Sequence, residues 1–388
     1  MRISFYAPLK APTHPVPSGD RRMARLLMTT LELAGHKVAL ASDFRSYEGT
    51  GDPTLQEGMF AAGRVEAHHI IETCLLQPEQ NRPSVWFTYH QYYKAPDHLG
   101  PAVSDALGIP YVVAEPSHAP KRANGPWKLA HESVEASLKK ADCAFCLTRH
   151  DMACVEPVLA SPDRLVYLPP FLDATSFQYD RSDKTDARNF LNQSFGATAD
   201  VLLVAVGMMR KGDKYHSYEQ LAKSLELISV STSWQLVIVG DGEYAAETKN
   251  LFQSRNKLKN HVIFAGEQPG PEVARILIAA DICVWPAVGE AYGMAMLEAQ
   301  AAGLPVVAGD SRGVPDVVRG GTTATLVPPD NPEAFASAVS KLIDDRDMRT
   351  DMGTAAGEFV ANERSLQQAA ATLNRGLEMA KSNKEHAK

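Results

Sequence analysis

The sequence has no excess of positive charge and no long apolar segment. Its 39 lysines and arginines are outnumbered by 46 aspartates and glutamates, which gives a net charge of -7 over 388 residues. This balance argues against a nucleic-acid partner, because phosphate binding needs a basic surface. No window reaches the ~18 apolar residues that span a bilayer, and the first residues lack the apolar stretch of a secretory leader. We therefore expect a cytoplasmic protein.

Cysteine is also scarce, with five in the whole chain. Cys143 and Cys146 form a C-x-x-C pair, but they lie in the apolar run ADCAFCLT, which has the pattern of a buried strand. No second pair of cysteines or histidines follows at the spacing of a metal site. We interpret both as small buried thiols without a metal or redox role.

The glycine fingerprint of dinucleotide-binding proteins, G-x-G-x-x-G, is missing after the first apolar run, which argues against NAD or FAD. In its place, Gly19 and Asp20 precede an amphipathic segment that ends at Gly35. A helix that begins at Gly19 can offer free backbone N–H groups to a phosphate or a sugar. A plain helix cap explains Gly19 and Asp20 equally well.

Short apolar runs alternate with helix-like segments along most of the chain. Six runs precede residue 170 and six follow residue 200, and this alternation predicts two doubly wound α/β domains with parallel sheets. The polar stretch from Phe171 to Asp200 is typical of a linker and of the entry to a new domain. We predict domains at 1–175 and 176–365, followed by a C-terminal helix at 366–388 that packs back towards the first domain. The runs are ISFYAP, KVALASD, SVWFTYH, PYVVAEPS, ADCAFCLT, RLVYLPP, VLLVAVG, WQLVIVGD, HVIFAG, DICVWPA, LPVVAGD and TATLVPP.

Ligands of such sheets bind beyond the carboxyl ends of the strands. The segment GEAYGMAMLEAQAAG follows the run DICVWPA and carries Glu290 and Glu298 with seven residues between them. Gly293 permits close approach at the helix entrance, and the N–H groups of Tyr292, Gly293 and Met294, predicted to lie in the first turn, can receive a diphosphate. We expect Glu290 to bind sugar hydroxyls and Glu298 to bind ribose hydroxyls, as in a nucleotide sugar.

Two further clusters lie after predicted strands. Arg210, Lys211 and Lys214 follow VLLVAVG, where cations face an incoming ligand, although a solvated surface explains them as well. FTYHQYYK carries Tyr89, His90, Tyr93 and Lys94, and rings with polar tips suit a sugar or polyol acceptor. A partly buried structural cluster is the alternative.

Five segments occur in the order found in one enzyme family, and their most specific part is the E-x7-E motif followed by LEA-x-A-x-G-x-PVV. They are VGMMRKGDK, IVGDGE, VIFAGEQPG, AADICVWPAVGEAYGMAMLEAQAAGLPVVAGDSRGVPDVV and TATLVPPDNPEAFASAV. With the N-terminal PSGDRRMARLL and IPYVVAEPSHAP, the chain resembles the retaining glycosyltransferases of family 4. This resemblance implies the GT-B fold, in which two Rossmann-like domains face a central cleft, the acceptor on the first and the nucleotide-sugar donor on the second.

The resemblance also implies roles for single residues. Glu290 matches the glutamate beside the donor sugar, Glu298 the one on the ribose, and Arg210 the cation that stabilises the leaving diphosphate. The family pattern places a lysine after this arginine, and we favour Lys214 over Lys211 because it is nearer the helix start. The expected reaction moves a sugar to a hydroxyl acceptor with retention, without a protein nucleophile.

His118 matches a histidine that these enzymes place beside the donor sugar, although a loop histidine often has a structural role. The sequence leaves other activities on this fold open, namely a nucleotide-sugar epimerase, a phosphorylase or a non-catalytic binding protein. It does not identify the acceptor, for which a saccharide, a lipid-linked saccharide and a small polyol are all open. It does not identify the nucleotide of the donor either. Arg21, Arg22 and Arg25 on one helix leave a weak peripheral membrane contact open.

No cofactor or metal is expected. GT-A transferases hold a metal with an Asp-x-Asp motif next to a strand. The one such triplet here, Asp345-Arg346-Asp347, lies in a predicted junction of two C-terminal helices. Turnover is therefore expected to persist in excess EDTA.

Overall fold

A computed structural model describes residues 1–16, 18–177 and 181–386 of the chain. The chain divides into two compact units, the first made of Met1–Pro169 with Leu366–Lys388 and the second of Pro170–Ser365. The first boundary therefore lies a few residues before the position predicted from the sequence. Within the described residues, each helix is too short or too polar to cross a lipid bilayer.

The first unit is built on a six-stranded sheet with the strand order β2-β1-β3-β4-β5-β6. All neighbouring strands are parallel, and the six apolar runs of the first half each form one strand, as predicted. Every residue of β3, β4 and β5 is buried, because helices cover both faces of a parallel sheet. The elements are β1 (Arg2–Tyr6), α1 (Gly19–Leu33), β2 (Lys37–Ser42), α2 (Pro53–Leu76), β3 (Val85–Tyr89), α3 (Gly100–Leu107), β4 (Tyr111–Ala114), α4 (Lys128–Lys140), β5 (Cys143–Cys146), α5 (Arg149–Val155) and β6 (Leu165–Tyr167).

The second unit repeats this plan with a parallel sheet of order β12-β11-β10-β7-β8-β9. The six apolar runs of the second half form its strands, so this prediction is also confirmed. The elements are α6 (Arg181–Phe195), β7 (Val201–Val206), α7 (Asp213–Glu226), β8 (Trp234–Val239), α8 (Ala245–Gln253), β9 (Val262–Gly266), α9 (Gly270–Ala279), β10 (Ile282–Trp285), α10 (Met294–Ala301), β11 (Val306–Gly309), α11 (Val314–Val317), β12 (Ala324–Val327), α12 (Pro332–Asp344) and α13 (Arg346–Glu363).

The last helix, α14 (Leu366–His386), belongs to the first unit. It packs against α1 and β5, with Leu373 and Leu377 fully buried. Gly376 lets the helix lie directly against the sheet, because a Cβ at this position would overlap the Phe145 ring. The C-terminal helix is therefore part of the packing of the first sheet.

The stretch from Phe171 to Asp200 belongs to the second unit, in agreement with its interpretation as the entry to a new domain, but it is not a simple linker. It contains α6, which packs against α9 and buries Ala187 and Leu191. The Lys184 ammonium lies 3.0 Å from the Ala280 carbonyl oxygen, and so anchors the helix to the end of α9. Because α6 buries a narrow apolar stripe and exposes its other sides, its composition resembles that of a linker.

The predicted burial of the C-x-x-C pair in a strand is confirmed. Cys143 and Cys146 lie in β5 with no exposed surface, and burial raises the pKa of both thiols well above its ordinary value. A thiol that resists ionisation is a poor nucleophile and a poor metal ligand. These cysteines therefore serve the core of the first unit.

Two of the three arginines considered for membrane contact are bound to the preceding loop. The Arg21 guanidinium donates to the carbonyl oxygens of His14 and Pro15 at 2.8 and 3.1 Å, and Arg25 Nε donates to the Pro12 carbonyl at 2.7 Å. These bonds fold residues 12–15 onto α1. The arginines thus have a structural role, and the geometry gives no support to a membrane surface here.

We predict that Gly376→Ala destabilises the first unit by about 1–3 kcal/mol, because the added methyl group overpacks the contact between α14 and Phe145. The control is Gly58→Ala in the second turn of α2, where an added Cβ meets no atom within 4 Å. That change should stabilise the protein by up to about 1 kcal/mol through helix propensity. Urea unfolding of both variants measures the difference, and equal effects would contradict the close packing of α14.

Candidate active site

Three loops of the second unit meet at one edge of its sheet. They follow β7, β8 and β10, which are neighbours in the order β10-β7-β8, so their carboxyl ends lie side by side. Between the loops lies a cavity of about 370 Å³. Its lining contains three cationic and three acidic side chains. The lining residues are Arg210, Lys211, Asp213, Lys214, Glu243, Val288, Gly289 and Glu290.

Glycines allow two of these loops to pack backbone against backbone. A Cβ at Gly240 would overlap the Gly207 carbonyl, and one at Gly242 would overlap the Met209 carbonyl. The Met209 amide also donates to the Asp241 carbonyl oxygen at 2.9 Å. The loop after β8 therefore supports the loop after β7, which carries Arg210 and the start of α7.

Glu290 lies in the turn after β10, and two side chains hold its carboxylate. The Lys214 ammonium lies 2.5 Å from Glu290 Oε2, and the Trp285 indole N–H donates to the same oxygen at 3.0 Å. The ammonium also lies 5.3 Å from the centre of the Trp285 ring. The Glu290 side chain is 12% exposed, so the carboxylate is fixed but still reaches the cavity.

Gly293 is the N-cap of α10 and adopts a left-handed conformation with φ of 80°. A Cβ here would lie 3.2 Å from Glu290 Cγ and would overlap the end of Met296, so glycine lets Glu290 fold over the helix start. The helix begins at Met294, so Tyr292 precedes it and its N–H is not in the first turn, contrary to the prediction. The backbone at Gly293 and Met294 remains a candidate for anion binding.

The other predicted residues of this unit differ in exposure. Arg210 and Lys211 are exposed at the cavity rim, and Lys214 is partly buried. Glu298 is 5% exposed within α10 and does not line the cavity. The structure thus brings Arg210, Lys211, Lys214 and Glu290 together, while Glu298 lies buried in the second turn of α10.

Two residues that organise this site were missed in the sequence. Trp285 ends β10 and places Glu290, and the signal was an indole at the last position of a buried strand, where its N–H needs a partner. Ser217 accepts from the Val288 amide at 3.0 Å and donates to the Asp213 carbonyl at 2.9 Å, which joins the turn to α7. A small polar residue inside a helix carries no comparable signal.

In the first unit, the residues after β1, β3 and β4 form an acid and histidine cluster. The cap of α1 is Ser18, whose hydroxyl accepts from the Arg21 amide, so neither Gly19 nor Asp20 provides it. The Asp20 carboxylate lies 3.2 Å from His90 Nδ1, and the Glu115 carboxylate lies 3.9 Å from the same atom. Gly19 begins the helix beside this cluster.

The cluster has perturbed proton affinities and strained backbone. Burial raises the pKa of Glu115 to about 7, although the charge of His90 opposes this shift. Burial alone would lower the pKa of His90, but the hydrogen bond to Asp20 and the charge of Glu115 outweigh burial and raise this pKa. The same hydrogen bond lowers the pKa of Asp20. His90 and Glu115 have φ of 57° and 53°, a region that L residues occupy at a cost of about 1–3 kcal/mol.

The predicted acceptor residues are dispersed, and Tyr89 is a correction. Its side chain is 1% exposed because β3 is covered on both faces, so its ring is not available to a ligand. Tyr93 packs edge-to-face on Trp127 with ring centres 5.1 Å apart, and the Lys94 ammonium lies 5.2 Å from the centre of the Trp127 ring. Tyr93 and Lys94 also border a largely apolar cavity of about 650 Å³ beside α2, α3 and α4.

His118 lies in the first unit and is tied to its surroundings. Its Nδ1 is 3.1 Å from the Cys154 carbonyl oxygen, and its ring stacks on that of His131 with centres 5.0 Å apart. Burial, and then the charge of His118, lowers the pKa of His131. The described geometry therefore gives His118 a structural contact, and its other nitrogen, Nε2, is buried.

Comparisons with known proteins agree with the resemblance stated above. Residues 200–345 match the family model described as "Glycosyl transferases group 1". A GDP-mannose-dependent alpha-(1-6)-phosphatidylinositol monomannoside mannosyltransferase of Mycobacterium tuberculosis is 31% identical over 204 residues, which cover 50% of this chain and 51% of that protein. An alpha-D-kanosaminyltransferase of Streptomyces kanamyceticus is 26% identical over 278 residues, or 69% of this chain and 70% of that protein.

A solved structure extends the likeness to the whole fold. HepE of Anabaena, crystallised in complex with UDP, matches with a TM-score of 0.72 at 15% identity, covering 97% of this chain and 100% of that one. The fold is therefore GT-B, as predicted, and the resemblance to glycosyltransferases is confirmed. The chain spans about half the length of the mycobacterial mannosyltransferase that it matches.

We predict that Glu115→Gln becomes more stable relative to the wild type as the pH rises from about 5 to about 8. A carboxyl group whose folded pKa is raised from 4.5 to about 7 stabilises the fold below the lower value, and this contribution is lost as the pH rises through the upper one. The neutral glutamine avoids that loss, which is roughly 3 kcal/mol at most.

Thermal unfolding of both proteins across this pH range measures the effect. Glu32→Gln, at an exposed position of α1, is the control and should differ from the wild type by the same amount at each pH. A Glu115→Gln curve that stays parallel to that of the wild type would contradict the burial of this carboxylate.

Proposed function

We propose that this protein is a retaining glycosyltransferase that moves a sugar from a nucleoside diphosphate sugar to a hydroxyl acceptor. The observation that carries the proposal is the placement of Glu290, which Lys214 and Trp285 hold at the entrance of α10. This placement lies within residues 200–345, the part of the chain that matches the glycosyltransferase family model. The role of the first unit, which includes binding of the acceptor, is inferred from the fold alone.

The donor would replace the bond between Lys214 and Glu290 with two bonds of its own. Sugar hydroxyls donate to the Glu290 carboxylate, and the diphosphate accepts from Lys214, Arg210 and the backbone at the start of α10. Charge-assisted bonds of this kind fix orientation as well as adding affinity. Glu298 is proposed to bind the ribose, which requires the nucleoside to reach the second turn of α10.

In the chemical step, the bond between the anomeric carbon and the diphosphate oxygen breaks, and negative charge grows on that oxygen. Arg210, Lys214 and the dipole of α10 stabilise this charge because they are already in place before the reaction. The acceptor oxygen forms the new bond to the anomeric carbon, and the departing phosphate oxygen takes the proton of that hydroxyl, so no protein nucleophile is needed. Because Arg210 and Lys214 neutralise the charge of the diphosphate, we propose a reaction that needs no metal ion.

The acceptor is proposed to bind the first unit, through His90, Tyr93 and Lys94. The roles of His118 and Gly19 at the donor sugar stay predictions from the sequence and the family resemblance. His90 supports this proposal because it lies at the carboxyl edge of its sheet, 21% exposed and bonded to Asp20. Tyr93 and Lys94 support it because they border a cavity. The relatives' names leave the nucleotide open, since one uses GDP-mannose and HepE was crystallised with UDP.

We predict that one of UDP, GDP and ADP raises the melting temperature of the protein, and that Lys214→Ala removes most of this rise. A ligand at 100 times its Kd stabilises the native state by about 2.7 kcal/mol. Lys211→Ala is the matched control, because Lys211 borders the same cavity but is exposed. Loss of the rise in Lys211→Ala with a normal rise in Lys214→Ala would reverse the assignment of the two lysines.

We predict that Glu290→Gln lowers kcat by 100- to 1000-fold, which corresponds to a barrier higher by on the order of 3 kcal/mol. The reason is that a neutral amide cannot accept two charge-assisted bonds from the sugar hydroxyls, as the carboxylate does. Glutamine keeps an oxygen for the Trp285 indole, so the turn should stay folded. The assay measures sugar transfer in excess EDTA, with Glu267→Gln at an exposed position after β9 as the control. Wild-type turnover by Glu290→Gln would overturn the role of this residue, and activity restored by Mg²⁺ would overturn the metal-free reaction.

A further inference from the structure

Two histidines and a glutamate converge on one side of α4 in the first unit. His131 and Glu135 are one helical turn apart on α4, so both side chains leave the same face of the helix. His118 reaches this face from the loop after β4. One donor atom from each of the three side chains lies within 4.8 Å of the other two.

The hydrogen bond of His118 fixes which nitrogen is free. Its Nδ1 is 3.1 Å from the Cys154 carbonyl oxygen, and a carbonyl accepts, so Nδ1 carries the proton. The lone pair is then on Nε2, which is buried and has no hydrogen-bond partner among the described residues. A backbone carbonyl on the far nitrogen is the arrangement that orients a histidine towards a metal ion.

The other two side chains are placed for the same role. His131 is 3% exposed, and its Nε2 lies 3.8 Å from the nearer Glu135 oxygen, which is too long for a hydrogen bond. Glu135 also lies 2.6 Å from the Lys139 ammonium in a pair that is largely exposed. Exposed pairs contribute roughly 0–1 kcal/mol, so a divalent ion can displace Lys139 at small cost.

We propose that His118, His131 and Glu135 form a binding site for a transition-metal ion of the Zn²⁺ type. Two imidazoles and one carboxylate suit Zn²⁺, whereas Mg²⁺ and Ca²⁺ prefer oxygen ligands. Bonds to zinc are about 2.0–2.2 Å long, so the donor atoms must move together by roughly 1 Å on binding. Three protein ligands leave a fourth position for water or another ligand. This proposal rests on the geometry of the first unit and not on the proposed transferase function.

The experiment titrates the full chain, freed of metal by a chelator, with Zn²⁺ in a calorimeter and with Co²⁺, whose visible absorption reports tetrahedral coordination. One equivalent of each ion should bind the wild type. Glu135→Gln and His131→Gln should each weaken binding by about 100-fold or more, since even the loss of a second-shell partner costs 10–100-fold. Glu132→Gln and His150→Gln, at exposed positions on α4 and α5, are the matched controls and should bind as the wild type does.

Binding that is absent from the wild type, or equal in all four variants, would overturn the proposal. His131 is buried, so His131→Gln is used only where its unfolding transition shows that it is folded. Glu135 is 35% exposed, and Glu135→Gln decides the result if His131→Gln does not fold. A Co²⁺ spectrum that lacks tetrahedral absorption would likewise count against the three ligands.

Discussion

The uniform direction of the strands is the constraint from which the candidate sites follow. In each sheet all neighbouring strands are parallel, so every strand delivers its following loop to the same edge. The loops after β7, β8 and β10 enclose the cavity with Glu290, and the loops after β1, β3 and β4 gather Asp20, His90 and Glu115. Residues far apart in the sequence become neighbours because of strand direction and order.

The cavity of the second unit is electrically balanced. Three cations and three acids line it, and one pair, Lys214 with Glu290, is already joined at 2.5 Å. A diphosphate therefore does not meet a purely positive surface, and its binding has to rearrange existing bonds. The polar backbone at the start of α10 keeps its partial positive charge in either arrangement. We expect this balance to favour ligands that supply hydroxyl donors and phosphate acceptors together, over phosphate alone.

The sequence predicts the strands and the position of the main turn well, because these depend on local patterns. Parallel strands buried on both faces appear as short apolar runs, and Gly293 marks the entrance of a helix. Other features depend on contacts between distant residues. The bond of Lys214 to Glu290 joins residues 76 positions apart, and the burial of Tyr89 follows from its place in the sheet. The helix α6 was missed because its single apolar stripe leaves it as polar as a linker.

The place of α14 makes the first unit discontinuous in the chain, since residues 170–365 lie between its two parts. During synthesis from the N-terminus, residues 1–169 leave the ribosome well before the helix that covers Phe145. The second unit is a single stretch of chain and has all its strands and helices by residue 365. Domains generally fold as units. The second unit is thus able to fold first, and the surface of β5 stays uncovered until residues 366–386 are made.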